Sequence, residues 1–205
     1  LGQTAERLAL LAGCYKRLAQ IRSDRDEIRL AVDQSARHYQ KAHEYNSERG
    51  RFDPYPVLNW LALDTVLGVS QPELDTLLAR VEGTARERYA RSKDFFDAVA
   101  LAEANLVRAL GTGALFGDAV RVAAEVDRVA SLYTQAIRVA QATARQVDSA
   151  TTQITTLARM LRALSVRDAA AEQAAAALLA LRSRISGEAI AAEANQVPTA
   201  ATPKH

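Results

Sequence analysis

The feature that most restricts the fold of this chain is a long segment without helix-breaking residues. From Asp118 to Ser186 there is neither glycine nor proline. Apolar or small residues recur there in alternating steps of four and three, a spacing that keeps one face of an α-helix apolar and is typical of coiled coils. The sequence therefore predicts an all-α protein. The positions that carry the spacing are Val122, Val126, Val129, Tyr133, Ala136, Ala140, Thr143, Val147, Ala150, Ile154, Leu157, Leu161 and Leu164.

Composition and charge exclude several classes of protein. The 205 residues are 49% apolar and 24% charged, which is ordinary for a globular chain long enough to bury a core. Twenty-six basic and 24 acidic side chains leave a net charge of +2, too balanced for the basic face that nucleic-acid binding needs. No apolar run approaches the roughly 20 residues that cross a bilayer, so no membrane partner is expected. The single cysteine, Cys14, can form no internal disulfide, which favours a cytoplasmic location.

The first half of the chain shows clear helix signals separated by turns. Helices are predicted over residues 3–21, from about 25 to Ser47, over Val57–Leu67 and over Leu74–Val81, the last with Ser70 as its N-cap. Gly50 and the segment 53–56, which has two prolines, end the second helix. Gly83 and Thr84 predict a joint after the fourth helix.

In the second half a helix is predicted over 92–110, followed by a glycine-containing turn over 111–117 and Asp118 as the next N-cap. Residues 118–164 allow two interpretations, one helix or two with a break near 140–143. Thr143 and Gln146 have the spacing of a capping box, which fits the second interpretation. An alanine-rich helix then runs from about 165–168 to 190, and residues 196–205 are predicted to be a disordered tail.

The order of large and small residues near the N-terminus resembles a tetratricopeptide repeat. Leu8, Leu11, Ala12 and Tyr15 are followed by Ser35, Tyr39 and Ala42 and then by Pro54, while Trp60 and Leu63 stand where the next repeat places large residues. Val129, Tyr133 and Ala136 repeat the second-helix pattern.

A more specific group of proteins is indicated by three segments, 7–18, 53–60 and 153–161. They are similar to the divergent tetratricopeptide-like regions of bacterial multidomain signalling and defence proteins. These regions are similar to the TRAF-binding helical region of stress-activated kinase kinase kinases. The resemblance spans about residues 7–161 and implies a turn before the last motif, near Thr143. It also implies a protein-interaction or regulatory scaffold attached to another module. Lys16, Arg17 and Asn59 lie where such repeats present polar groups to a partner, although ordinary solvent-exposed positions remain an alternative.

Other candidate residues carry weaker signals. Leu115 and Phe116, in the turn over 111–117, either fold back onto the core or form an exposed apolar patch for a partner. The basic residues between Arg80 and Lys93 fit a solvated helix face with local ion pairs better than a phosphate site. Gly111, Gly113 and Gly117 superficially resemble a phosphate loop, but they follow a helix and lack the Walker lysine.

Metal or nucleophile chemistry is not expected. His38 and His43 are five residues apart and therefore lie on different faces of a helix, about 140° from each other. Cys14 is predicted to be structural and to pack where helices meet. No nucleophile, base and orienting group can be assembled from the residue types present, so neither an enzyme nor a cofactor is predicted.

The sequence thus predicts antiparallel helix pairs in a short tetratricopeptide-like array over 1–164, with an alanine-rich helical bundle completed by a helix over 165–195. The function predicted is binding of another protein or a fused effector domain, within a larger signalling or defence protein or complex. The alternative is a self-associating structural subunit, with a homo-oligomer formed through Val122, Val126, Val129 and Tyr133. The chain starts at Leu1 and not at methionine, which fits a piece of a longer protein.

Overall fold

The structure, a computed structural model, describes residues 2–165 and 168–194, in which every regular element is an α-helix. This confirms the predicted all-α class. The predicted tail over 196–205 lies outside the described residues. The helices are α1 (Ala5–Ile21), α2 (Arg25–Ser47), α3 (Pro54–Leu67), α4 (Leu74–Ser92), α5 (Phe95–Gly111), α6 (Ala119–Val139), α7 (Ala144–Leu164) and α8 (Ala169–Ala194).

The break between α6 and α7 lies where the capping box predicts it. Gln141 adopts a left-handed backbone with φ of 49°, and α6 ends at Val139. The Thr143 side chain accepts a hydrogen bond from the Gln146 backbone, and the Gln146 side chain accepts one from the Thr143 backbone at 2.9 Å. Two otherwise unpaired N–H groups are satisfied in this way, so the helix restarts at a defined residue.

The predicted end of the fourth helix is wrong. The joint at Gly83 and Thr84 does not exist, because α4 continues through both residues to Ser92. One glycine costs a helix only about 1 kcal/mol, and the buried stripe of Leu78, Val81 and Ala85 outweighs it. The actual break is at Lys93, which has a φ of 55°.

The third helix begins three residues earlier than predicted, at Pro54. The first turn of a helix has no intrahelical partner for its N–H groups, so Pro54 and Pro56 fit there without loss. Asp53 caps this turn by accepting a hydrogen bond from the Tyr55 backbone. At α4, the predicted cap Ser70 is not the N-cap; Glu73 holds that position without a side-chain cap bond.

The helices pack as antiparallel pairs along the chain, and α7 then returns to the first three helices. α1 packs on α2, α2 on α3, α3 on α5, α4 on α5 and α5 on α6. α8 packs against both α6 and α7, and α7 also contacts α1, α2 and α3. The return of α7 to the first three helices closes the assembly around a space between α1, α3, α5 and α7.

The apolar stripe of α6 belongs to the core of this chain. Val122, Val126, Val129 and Tyr133 are all buried, with Val129 at 1% and Tyr133 at 0% exposure. α5 and α8 cover this stripe. The predicted homo-oligomer seam is therefore wrong, because burial within the chain already satisfies the apolar face.

The alanine-rich helix α8 contributes small residues at its contacts. Ala174, Ala175, Leu178, Leu181 and Ile185 are almost completely buried. Alanine lets helix axes approach closely but buries little apolar area per residue, so the larger side chains in this set supply most of the burial. The division of the chain at 164 and 165 into two structural units stays a prediction.

Candidate functional site: a polar cavity between α1, α3, α5 and α7

A cavity of about 530 Å³ lies where the closing helix α7 faces α1, α3 and α5. Two of the residues predicted to contact a partner, Lys16 and Arg17, line it from α1, and the third, Asn59, lines it from α3. Glu103 of α5 and Gln153 of α7 complete its polar wall. The size is within the range of small-molecule sites, roughly 300–1,000 Å³.

Lys16 is the centre of the hydrogen-bond network in this cavity. Its ammonium donates to Asn59 Oδ1 at 2.8 Å and to Gln153 Oε1 at 2.5 Å. Gln153 Nε2 also donates to Asn59 Oδ1 at 3.2 Å, and Asn59 Nδ2 donates to the Tyr55 carbonyl at 3.0 Å. The three side chains therefore hold one another in fixed orientations, with one Lys16 N–H left over.

The charge on Lys16 is weakly compensated. Both of its hydrogen-bond acceptors are neutral amides, and burial lowers the pKa of its ammonium from 10.5 to about 8, against the attraction of Glu103. The ammonium also lies 6.0 Å from the centre of the Tyr39 ring, whose negative face gives further support. Lys16 remains mostly protonated at neutral pH.

Glu103 is the second weakly compensated group. Within the described part of the chain, its carboxylate takes part in no hydrogen bond or ion pair, although it lines the cavity. Burial raises its pKa from 4.5 to about 7, and the nearby Lys16 limits the rise. The Tyr133 phenol is buried and has no hydrogen-bond partner among the described residues, and its pKa is raised by burial and by the charge of Glu103.

The other acidic groups at the cavity have partners. Asp53 pairs with Arg88 at 3.2 Å, and Arg88 also donates to the Phe52 carbonyl at 2.9 Å. Asp97 accepts a hydrogen bond from Ser92 at 2.7 Å. Among the described residues, the charged side chains that line the cavity without an ion-pair partner are thus Lys16, Arg17, Glu103 and Asp97, of which Asp97 is hydrogen-bonded to Ser92.

Aromatic side chains form part of the rim. Tyr55 and Phe96 line the cavity, and each is 54% exposed. The Tyr55 hydroxyl lies 3.2 Å from the hydroxyl of Tyr39, and the two rings meet edge to face. The cavity therefore combines a charged interior with an apolar edge open to solvent.

Leu115 and Phe116 show the first of their two predicted arrangements. Leu115 is 1% exposed, and Phe116 is half-buried against the core. The turn that carries them is held by hydrogen bonds from Leu115 N to the Ala109 carbonyl and from Phe116 N to the Gly113 carbonyl. They do not form an exposed apolar patch, because the turn folds them inward.

The residues considered for metal or nucleophile chemistry are separated. His38 stacks on Tyr15 with ring centres 5.5 Å apart, and His43 stacks on Trp60 at 6.0 Å. No group of three His, Cys, Asp or Glu side chains that could hold a metal occurs in the described residues. Cys14 is exposed, so the prediction that it packs between helices is wrong. It lies off the buried stripe of α1, which runs through Leu8, Ala12 and Ala19.

The basic residues between Arg80 and Lys93 are engaged locally in several places. Arg86 pairs with Glu82 at 3.1 Å, Arg80 lies over the Phe52 ring and Lys93 over the Tyr89 ring. This arrangement agrees with the predicted solvated helix face.

Sequence reasoning missed Glu103 and Gln153. Gln153 begins one of the segments quoted for the resemblance, and Glu103 interrupts a largely apolar helix between the buried Ala102 and Ala104. An acid between two alanines in the middle of an apolar helix was the available signal. Its partner across the cavity, 87 positions earlier in the chain, could be found only from the packing.

A separate apolar groove of about 330 Å³ lies on the outer side of α1 and α2. Tyr15 and Leu18 line it from α1 and Leu30 from α2, and Leu30 is 61% exposed. Leu11, 42% exposed, lies one turn before Tyr15 on the same side of α1. Arg22 and Glu27, 3.6 Å apart, lie at the groove as an exposed ion pair.

Comparison with known proteins supports the resemblance for the N-terminal part. The family model described as Tetratricopeptide Repeats-Sensor matches residues 1–64, less than a third of the chain. Residues 1–64 are therefore a tetratricopeptide-repeat-like region, which contains α1, α2 and most of α3. No curated protein and no solved structure matches the chain. In the described residues no helix has the length and apolar character needed to span a membrane.

Proposed function

We propose that this chain is a non-catalytic regulatory module that binds an apolar helical segment of another protein or of a fused effector domain. We place it in a larger signalling or defence protein of the bacterial cytoplasm. Tetratricopeptide-type repeats are in general protein-interaction modules, and the matching family is described as a sensor. The resemblance over 7–161 is the support for a signalling or defence setting.

The groove between α1 and α2 is the observation that carries this proposal. It lies within the segment that matches the repeat family, and its residue Leu30 is 61% exposed. An amphipathic helix binds such a groove by placing apolar side chains, one turn apart, against it. The neighbouring Arg22 and Glu27 offer charges of both signs to the polar edge of that helix.

The test is capture of the partner from native cells by the wild-type chain and by two matched variants. Leu30→Asp places a charge in the groove, whereas Val120→Asp places one at a 77% exposed valine on α6. Both positions are exposed, so both variants are expected to fold. Binding of the captured protein is then measured with purified components.

We expect the wild type and Val120→Asp to bind the partner equally and Leu30→Asp to bind at least about 10-fold more weakly, since a charge must be desolvated in an apolar contact. Equal binding by all three proteins, or a partner that binds through α6, would contradict the proposal.

A further inference from the structure

The cavity contains two groups of opposite charge, Lys16 and Glu103, that the protein itself compensates only weakly. Lys16 directs its ammonium to amide oxygens only, and Glu103 has no hydrogen-bond or ion-pair partner in the part of the chain that the structure describes. Charged groups with so little compensation are unfavourable in a folded protein unless something else contacts them. Here both groups face a cavity large enough to hold a molecule.

The charged groups at the cavity that have no ion-pair partner in the described part of the chain, Lys16, Arg17, Asp97 and Glu103, sum to zero, which restricts the ligand. A dianion such as phosphate would meet Glu103 as well as Lys16. The first turns of α3 and α5 reach the cavity, but their N–H groups at Tyr55 and Phe96 already donate to the capping side chains of Asp53 and Asp94. A simple cation would meet Lys16 and Arg17. A molecule with one anionic and one cationic group can pair both charges at once.

The volume of the cavity and the residues at its rim place two further requirements on the ligand. About 530 Å³ exceeds what one ammonium and one carboxylate occupy, so the ligand also fills apolar space. Tyr55 and Phe96 at the rim supply an aromatic edge for such a group. Asn59 and Gln153 are held by their mutual hydrogen bond and fix the direction of the Lys16 ammonium.

We infer that the cavity is a binding site for a small zwitterion of the amino-acid or dipeptide class with an apolar or aromatic side chain. Its carboxylate pairs with Lys16 and Arg17, and its ammonium pairs with Glu103. The apolar side chain lies against Tyr55 and Phe96. The site is distinct from the groove on α1 and α2, so this inference does not rest on the protein partner proposed above.

The experiment measures binding to the full chain by isothermal titration calorimetry at pH 7.5. The probes are the twenty free L-amino acids and the alanyl dipeptides of leucine and phenylalanine. For each probe that binds, two analogues are compared: the N-acetyl form, which lacks the ammonium, and the carboxamide, which lacks the carboxylate. Inorganic phosphate is titrated separately.

At least one zwitterionic probe is expected to bind with a Kd below about 1 mM. Loss of either charge is expected to weaken binding about 10- to 100-fold, the effect of one hydrogen bond to a charged group. Absence of binding by every probe, equal binding of the analogues, or tighter binding of phosphate than of any zwitterion would overturn the inference.

Two variants assign the charges to residues. Glu103→Gln is expected to bind the N-acetyl analogue and the zwitterion with equal affinity. Lys16→Met is expected to bind the carboxamide and the zwitterion with equal affinity. Glu87→Gln and Lys41→Met, exposed positions on α4 and α2, should retain the wild-type preference. Should a cavity variant fail to fold, judged by circular dichroism, the analogue comparison on the wild type still decides the inference. Wild-type preference retained by folded Glu103→Gln would contradict the proposed role of that carboxylate.

Discussion

Replacing Glu103 by glutamine should stabilise the protein at neutral pH and leave its stability almost unchanged in mild acid. The folded state raises the pKa of this carboxyl from 4.5 to about 7, so it holds the proton more tightly than the unfolded chain does. The wild type therefore loses stability as the pH rises from about 4.5 through 7. Glutamine has nearly the same size as the protonated acid and is also neutral. The variant therefore does not lose stability at this position as the pH rises.

The magnitude follows from the pKa. A rise from 4.5 to about 7 corresponds to roughly 3 kcal/mol at about 1.4 kcal/mol for each pH unit. Because the carboxyl faces a cavity that water can enter, screening reduces the expected effect to about 2 kcal/mol. In a chain of this length, that difference shifts the Tm by roughly 4–8 °C.

The assay is urea unfolding at pH 4.5 and pH 7.5, followed by the fluorescence of the single tryptophan, Trp60, which is 9% exposed and should respond to unfolding. Because the charge of Glu103 raises the pKa of Lys16, the substitution also lowers the protonation of this lysine, and the difference measured at pH 7.5 includes that effect. The control is Glu87→Gln, an exposed acid on α4, for which no pH-dependent difference is expected. A Glu103→Gln variant less stable than the wild type at pH 7.5, or a difference that does not change with pH, would refute the reasoning.

Three further substitutions test the packing, each by the free energy of unfolding in urea. Ser35→Ala removes the buried hydrogen bond from Ser35 Oγ to the Ala12 carbonyl, 2.8 Å long, and should cost about 1 kcal/mol; no change would mean that the bond adds nothing between α1 and α2. Thr143→Ala removes the capping box with Gln146 and should cost about 1 kcal/mol, with faster hydrogen exchange confined to the first turn of α7. Leu178→Ala, at a side chain with 0% exposure, should cost about 2–5 kcal/mol in the main transition seen by tryptophan fluorescence, whereas a separate transition would show that α8 unfolds independently.

Most of the helices could be predicted because their ends are encoded locally. Asp24, Asp94, Asp118 and Thr143 each accept hydrogen bonds from the first turn that follows, and such short-range chemistry is readable in one sequence. The Gly83 joint was predicted wrongly for the opposite reason. Whether one glycine ends a helix depends on the apolar contacts around it, and those contacts are made with other parts of the chain.

The spacing of apolar residues established that α6 has a buried face but could not say what buries it. Val122 to Tyr133 fit a seam between two chains as well as a seam within one. The answer came from α8, whose alanines gave only a weak sequence signal. The sequence left the burial of Leu115 open for the same reason. A turn residue is buried only if the turn folds onto the core, and that depends on distant parts of the chain.

The polar cavity depends on contacts that are still more distant in sequence. Lys16 and Gln153 are 137 positions apart and meet only because α7 returns to the first three helices. The repeat-like region 1–64 supplies Lys16, Arg17 and Asn59, while Glu103 and Gln153 lie beyond it. A simple open array of repeats would leave Lys16 and Asn59 on a solvated surface, where an ammonium has its ordinary pKa. Closure by α7 changes their environment, because it partly buries Lys16 and places Glu103 near it with no hydrogen-bond or ion-pair partner in the described part of the chain. The site is thus a product of the closed topology rather than of the repeat itself.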